Sequence, residues 1–229
     1  MKVLVDIPGC PDSQKLLDRM HLDSASDEAA EFLQLYERAR AVAGPKAVFR
    51  ECFVEQRDAE SITIEGHTLS SHILRHNIGE SHRIFPFVAT CGTELDDVEI
   101  DPGDFLQEYW LDAIKEAWLG VARRFLVEYI KGVYPFMKTT SMSPGSGDVD
   151  VWPIEDQRPL FAILGDVKAA IGVTLTDGML MLPNKTISGI RYPSEQDFRT
   201  CRMCHRENCP TRQVPLDEEW ALKQREESL

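Results

Sequence analysis

Apolar residues recur at helical spacing over two stretches of this chain and alternate or cluster in short runs over several others. Between Phe105 and Lys131, the residues Leu111, Ile114, Trp118, Val121, Phe125 and Tyr129 fall three or four positions apart. That stripe predicts a long helix facing a core, with its aromatics used for packing. Asp101-Pro102-Gly103-Asp104 supplies the start signal. A second helix is predicted over 24–43. Ser24 or Ser26 can cap it, and Asp27 and Glu28 occupy a first turn where the helix dipole favours acids. Ala29, Phe32, Leu33, Tyr36, Ala39 and Ala43 share one face, and Gly44-Pro45 ends the run.

Shorter signals fill the rest. Val48 to Val54 and Ser61 to Ile64 predict strands joined by the polar Glu55–Glu60, and a helix is expected from Ser70 to about Asn77. Phe85 to Gly92 reads as a strand entering a glycine turn. The stretch 139–152 is rich in Ser, Thr, Gly and Pro and predicts a loop, where binding residues concentrate. Trp152-Pro153 opens a helix to about Leu164, within which Pro159 must cost a hydrogen bond or split the element. Ala170–Thr176 and Met179–Leu182 flank Asp177-Gly178, a hairpin signal. Pro183-Asn184-Lys185 makes a further turn before a strand over Thr186–Ile190. From about Tyr192 the chain becomes polar. Helices segregated from antiparallel strands predict an α+β fold over 1–195, followed by a Cys-rich extension over 196–229.

Composition narrows the function classes. At 229 residues the chain can bury a core without staples. It carries 25 Lys and Arg against 38 Asp and Glu, a formal net charge of -13, which argues against a nucleic-acid partner. No apolar run approaches the roughly 18 residues of a membrane span. The start, Met1-Lys2-Val3-Leu4-Val5-Asp6, lacks the apolar core of a secretory signal, so a cytoplasmic location is expected. The six cysteines are then not expected to form structural disulfides.

Three of those cysteines are clustered. Cys201, Cys204 and Cys209 have the spacing of thiolates that can share one metal, either zinc or an iron–sulfur cluster. His205, Cys10, Cys52 and Cys91 are candidates for a fourth ligand. A redox pair at Cys201 and Cys204, or thiols without a role, are the other readings of the cluster. Arg199, Arg202, Arg206 and Arg212 surround it with a single Glu207, so this short stretch is basic within an acidic chain. Such cations would lower thiol pKa values. His72 and His76 lie one helical turn apart, but no carboxylate completes a metal-site motif around them, and no phosphate-binding glycine pattern is present.

Three ordered motifs carry a family resemblance. Phe87-Val88-Ala89-Thr90-Cys91-Gly92-Thr93-Glu94-Leu95 precedes the long helix. Ser143-Pro144-Gly145 is followed by Trp152-Pro153-Ile154-Glu155-Asp156-Gln157. Ile171 to Pro183 then runs on through Lys185-Thr186-Ile187-Ser188-Gly189. Over roughly residues 83–195 this order resembles the activation domain of cobalamin-dependent methionine synthase, and more closely its free-standing relatives. The resemblance implies a curved antiparallel sheet flanked by helices. It also implies S-adenosylmethionine as ligand, cobalamin presented by a corrinoid-binding methyltransferase domain or protein, and an electron donor protein. In that family the electron reduces Co(II), and S-adenosylmethionine methylates the Co(I) formed.

By the same resemblance, Ser141, Pro144, Gly145, Ser146 and Lys185 are the candidate ligand-binding residues. The methionine synthase members carry Arg-x-x-Pro-Gly-Tyr in this loop, whereas this chain has Ser141-Met142-Ser143-Pro144-Gly145-Ser146. A charge-assisted bond to the ligand carboxylate, typically about 1.5–3 kcal/mol, is therefore missing from the loop. Either Lys185, Arg158 or Arg191 compensates, or S-adenosylmethionine is not the ligand. Two other functions remain open: a non-catalytic, metal-stabilised interaction module on the same fold, and a thiol redox protein.

Overall fold

The computed structural model describes residues 1–229 except 149, 197, 210, 211 and 229. Strand β1 (Lys2–Leu4) precedes helices α1 (Ser13–Arg19) and α2 (Asp27–Val42). Strands β2 (Lys46–Phe49) and β3 (Cys52–Phe53) lead to a small meander of β4 (Gln56–Arg57), β5 (Ser61–Ile64) and β6 (His67–Ser70). After α3 (His72–Ile78) comes β7 (Arg83–Thr90), a 3-10 turn over Thr93–Asp97 and the long α4 (Phe105–Val133). Strand β8 (Thr139–Met142), a 3-10 turn at Ile154–Asp156, α5 (Gln157–Leu164) and α6 (Val167–Ile171) follow. The hairpin β9 (Thr174–Leu175) and β10 (Met181–Leu182), the long β11 (Thr186–Pro193), a 3-10 turn at Thr200–Met203 and α7 (Glu218–Ser228) complete the described chain.

The main sheet is antiparallel, in the order β1-β2-β7-β11-β8, with β3 also on β7. Side chains alternate across it. Phe85, Phe87 and Ala89 of β7 join Ala47 and Phe49 of β2 in a cluster with α1, α2 and α4. Val48 and Val88 point the other way, onto α5 and α6. Helix α4 buries Leu111, Ile114, Trp118 and Val121, with Phe125 and Tyr129 half-buried against the same cluster, as the periodicity predicts. The Asp104 carboxylate caps it, accepting from the Leu106 and Gln107 amides at 3.0 Å. A further cluster gathers Ile190 and Tyr192 of β11, Met142 of β8 and Trp152. Phe198, Met203 and Ala221 from the C-terminal stretch complete it. The fold is α+β, as the segregation of helices and strands predicts.

The differences from the sequence expectation have local causes. The strand expected over 48–54 is interrupted at Arg50 because Pro86 stands opposite it. The Arg50 amide donates to the Pro86 carbonyl at 3.0 Å, but Pro86 has no N–H to return. Thr139–Met142 is an edge strand rather than loop, since β11 extends to Pro193 and offers it a partner. Ala170 and Ile171 are helical, not extended. The Asp166 carboxylate caps that short helix at the Ala169 amide, and Gly172, at φ 77°, ends it. The hairpin therefore pairs only Thr174–Leu175 with Met181–Leu182. Pro159 falls in the first turn of α5, where its missing N–H costs least, and the expected helix splits into a 3-10 turn and α5 at Gln157.

Gly189 is the tightest point of the β11–β8 pairing. A Cβ there would lie 2.3 Å from the Met142 carbonyl and 2.8 Å from Ser143 Oγ. Gly189→Ala should therefore push β8 off β11 and cost about 1–3 kcal/mol, the range for overpacked sites. A thermal melt should drop by several degrees; an unchanged midpoint would show that the strands do not depend on this close approach.

Candidate functional site

Strand alternation decides what faces α4. On β11, Ile187 and Arg191 lie on the α4 side with Gly189 between them, and Thr139 and Ser141 of β8 share that side. Here α4 offers a polar flank, presenting Arg123, Arg124 and Glu128 beside Val127. The gap between helix and sheet edge is a cavity of ≈ 530 Å³. Its far wall is the C-terminal stretch, through Phe198, Arg199, Thr200, Cys201 and Gln213.

That wall is held by specific contacts. Thr140 Oγ1 donates to the Phe198 carbonyl at 3.0 Å, and the Ser194 amide donates to the Lys138 carbonyl at 3.1 Å. Gly147, at φ 92°, lets the 143–148 loop close on Thr200; a Cβ there would sit 2.6 Å from Thr200 Cγ2. The Arg212 guanidinium donates to the carbonyls of Cys201 at 2.9 Å, Cys204 at 3.0 Å and Arg206 at 2.5 Å. It ties the cysteine-bearing loop by hydrogen bonding rather than by charge. Farther out, Arg225 of α7 pairs with Asp150 at 2.8 Å and Asp148 at 3.3 Å, and His205 Nδ1 lies 2.5 Å from Asp148 Oδ2.

Arg191 sets the electrostatics of the cavity. Its guanidinium donates to Thr139 Oγ1 at 2.8 Å and to the Thr139 carbonyl at 2.9 Å, with Ser141 Oγ at 3.5 Å. Among the described residues it has no carboxylate partner. Burial, followed by the neighbouring charges of Arg123 and Arg199, pushes its pKa down to about 10. It remains a cation at neutral pH, and its hydrogen bonds among the described residues go to neutral oxygens.

The expected ligand residues divide accordingly. Ser141 and Ser146 line the cavity. Pro144 is buried. Gly145, at φ 72°, bonds through its amide to the Trp152 carbonyl at 2.9 Å, and a Cβ there would press on Ile154 at 2.9 Å. These two residues shape the loop from behind. Lys185 lies outside the lining and pairs with Asp112 at 2.8 Å. Arg158 donates to the Asp177 carbonyl at 3.0 Å. Of the three cations proposed to replace the loop arginine, only Arg191 faces the cavity. Arg123, Arg124, Thr139, Ser143 and Thr200 were missed by sequence reasoning; the adjacent arginines on the exposed face of the long helix were the available signal.

The three clustered cysteines are all half-buried. Cys201 lines the cavity, whereas Cys204 and Cys209 do not. Cys52 and Cys91 are buried in the core, with burial raising their thiols to about 11 and about 12. Cys10 is exposed. His205 is engaged by Asp148. Among the described residues no three His, Cys, Asp or Glu side chains are grouped so as to hold a metal ion. No described helix is long and apolar enough to cross a membrane.

No protein-family model matches the chain, and no curated protein matches it. Among solved structures it is similar to a crystal structure of the MetH reactivation domain bound to AdoHcy. The TM-score is 0.59 at 14% sequence identity, covering 88% of this chain and 82% of that one. At that identity the likeness establishes the fold.

The Arg225 tie has a pH signature. Burial pushes the Asp148 carboxyl up, but hydrogen bonds from His205 and the charge of Arg225 hold it below the usual range. Asp150 is lowered chiefly by its bond from Arg225. Carboxylates lowered by folding stabilise the native state above their unfolded value and lose that contribution as pH falls through the folded one. Acidification from about pH 5 to about pH 2 should therefore release α7, seen as faster amide exchange in 212–226 after correction for intrinsic rates. Arg225→Gln should move that release to higher pH; the same profile in both proteins would remove the tie from the account.

Proposed function

We propose that this chain is a cytoplasmic accessory protein that reactivates a corrinoid-dependent methyltransferase, with methionine synthase as the favoured partner. It would do so by binding S-adenosylmethionine in the cavity between α4, β8 and β11. The observation that carries this reading is Arg191, a half-buried cation without a carboxylate partner among the described residues. It lies cross-strand from Ser141, in the loop region where the family motif has its arginine. The fold shared with the MetH reactivation domain supports the same assignment.

Each cavity residue then has a task. Arg191 would take the ligand carboxylate, restoring from the neighbouring strand the charge-assisted bond that Ser141 cannot make. The hydroxyls of Ser141, Ser143 and Ser146 would complete the polar contacts. Pro144 and Gly145 fix the loop so that ligand binding need not order it. The corrinoid would be brought by the partner, and an electron donor protein would supply one electron to Co(II). The methyl group of the sulfonium would then pass to Co(I), leaving S-adenosylhomocysteine. The chain's own contribution is to hold that methyl toward the partner.

The test is reactivation of Co(II) methionine synthase with this protein, S-adenosylmethionine and a reductant, followed by the visible spectrum of the corrinoid. Arg191→Gln should weaken S-adenosylmethionine binding about tenfold or more with the circular dichroism unchanged. Absence of binding heat at millimolar S-adenosylmethionine, or a Co(II) spectrum that never changes, would overturn the proposal.

A further inference from the structure

The charge of the cavity asks for more than a methionine carboxylate. Four guanidinium groups line it, from Arg123, Arg124, Arg191 and Arg199, and Glu128 is the one acid among its described lining residues. Glu128 itself pairs with Lys131 at 3.7 Å. Arg123 and Arg124 make no ion pair among the described residues, and Arg191 is bonded only to neutral oxygens. Arg199 donates to Gln213 at 2.7 Å and still lines the space. S-adenosylmethionine carries one carboxylate against an ammonium and a sulfonium, so it leaves the charges of Arg123, Arg124 and Arg191 largely uncompensated. A phosphoryl group brings close to two negative charges and three acceptor oxygens, which matches guanidinium forks and hydroxyls. The hydroxyls are present in Thr139, Ser141 and Thr200. At ≈ 530 Å³ the space is within the size range of small-molecule sites.

We propose that this cavity binds a phosphoryl group through Arg191 and Arg123, supplied either as a free phosphate or pyrophosphate ion or as the phosphate of a small nucleotide. The site stands whether or not the cavity also takes S-adenosylmethionine. If it takes both, the two ligands compete, and binding of the methyl donor becomes sensitive to phosphorylated metabolites.

Titration calorimetry on the full chain at low ionic strength tests this with inorganic phosphate, pyrophosphate and AMP. Pyrophosphate should bind once per chain and weaken as salt is added. Arg191→Gln should reduce its affinity about tenfold or more. Arg123→Gln removes an exposed helix charge without disturbing the core and should reduce it several-fold, so the test survives if the Arg191 variant does not fold. AMP binding tighter than phosphate identifies a nucleotide as the source, and equal affinities identify the free ion. No heat with millimolar pyrophosphate, or affinity unchanged in Arg123→Gln and in Arg191→Gln, overturns the proposal. If pyrophosphate binds while S-adenosylmethionine does not, the reactivation reading falls and the phosphoryl site remains.

Discussion

A helix of 29 residues with one apolar face must lie on something apolar along that face. Leu111, Ile114, Trp118 and Val121 meet Phe85, Phe87 and Ala89 of the central strand, each large side chain contributing roughly 1.5–3 kcal/mol when fully buried. This contact sets the position of α4 across the sheet. The cavity follows from it: while Phe125 and Tyr129 stay packed on the same cluster, the flank of α4 that carries Arg123, Arg124 and Glu128 lies over the edge formed by β11 and β8. Gly189 brings that edge close beneath, because any side chain there would meet the Met142 carbonyl.

The C-terminal stretch completes the enclosure. Phe198, Met203 and Ala221 bury in the cluster around Trp152 and Tyr192, and Trp220 packs on Phe198 with ring centroids 5.6 Å apart. These contacts place Thr200 and Cys201 at the cavity wall. Arg212 then serves the loop as a hub for backbone carbonyls. The basic stretch around the cysteines divides its labour as a result: Arg212 organises backbone, Arg202 lies over the Trp220 ring at 5.3 Å, and Arg199 faces the ligand space. Two of the four arginines around the cysteines thus have a structural task.

Much of the architecture is legible in the chain, because it rests on local rules. The α2 cap at Ser26, the α4 stripe and its Asp104 start, the Ser61–Ile64 strand and the helix stop at Gly44-Pro45 all follow from periodicity and capping within a few residues. Expectations failed where the deciding partner is far away. Thr139–Met142 has turn-like composition and becomes a strand only because β11 offers it a ladder. The gap at Arg50 depends on a proline 36 positions later.

The candidate site shows the same division. Sequence alone determined that the 141–146 loop lacks the arginine of the methionine synthase motif it resembles, so that any compensating cation would have to come from elsewhere, with Lys185, Arg158 and Arg191 as candidates. Only the tertiary structure shows which of them faces the cavity. Lys185 and Arg158 are engaged by Asp112 and Asp177, while antiparallel pairing sets Arg191 across from Ser141 and alternation turns it toward α4. The concentration of positive charge in one cavity is likewise invisible along the chain, where the net charge is -13. Charge acts through space, and the arginines at 123, 124, 191 and 199 become neighbours only when the helix, the sheet edge and the C-terminal stretch pack together.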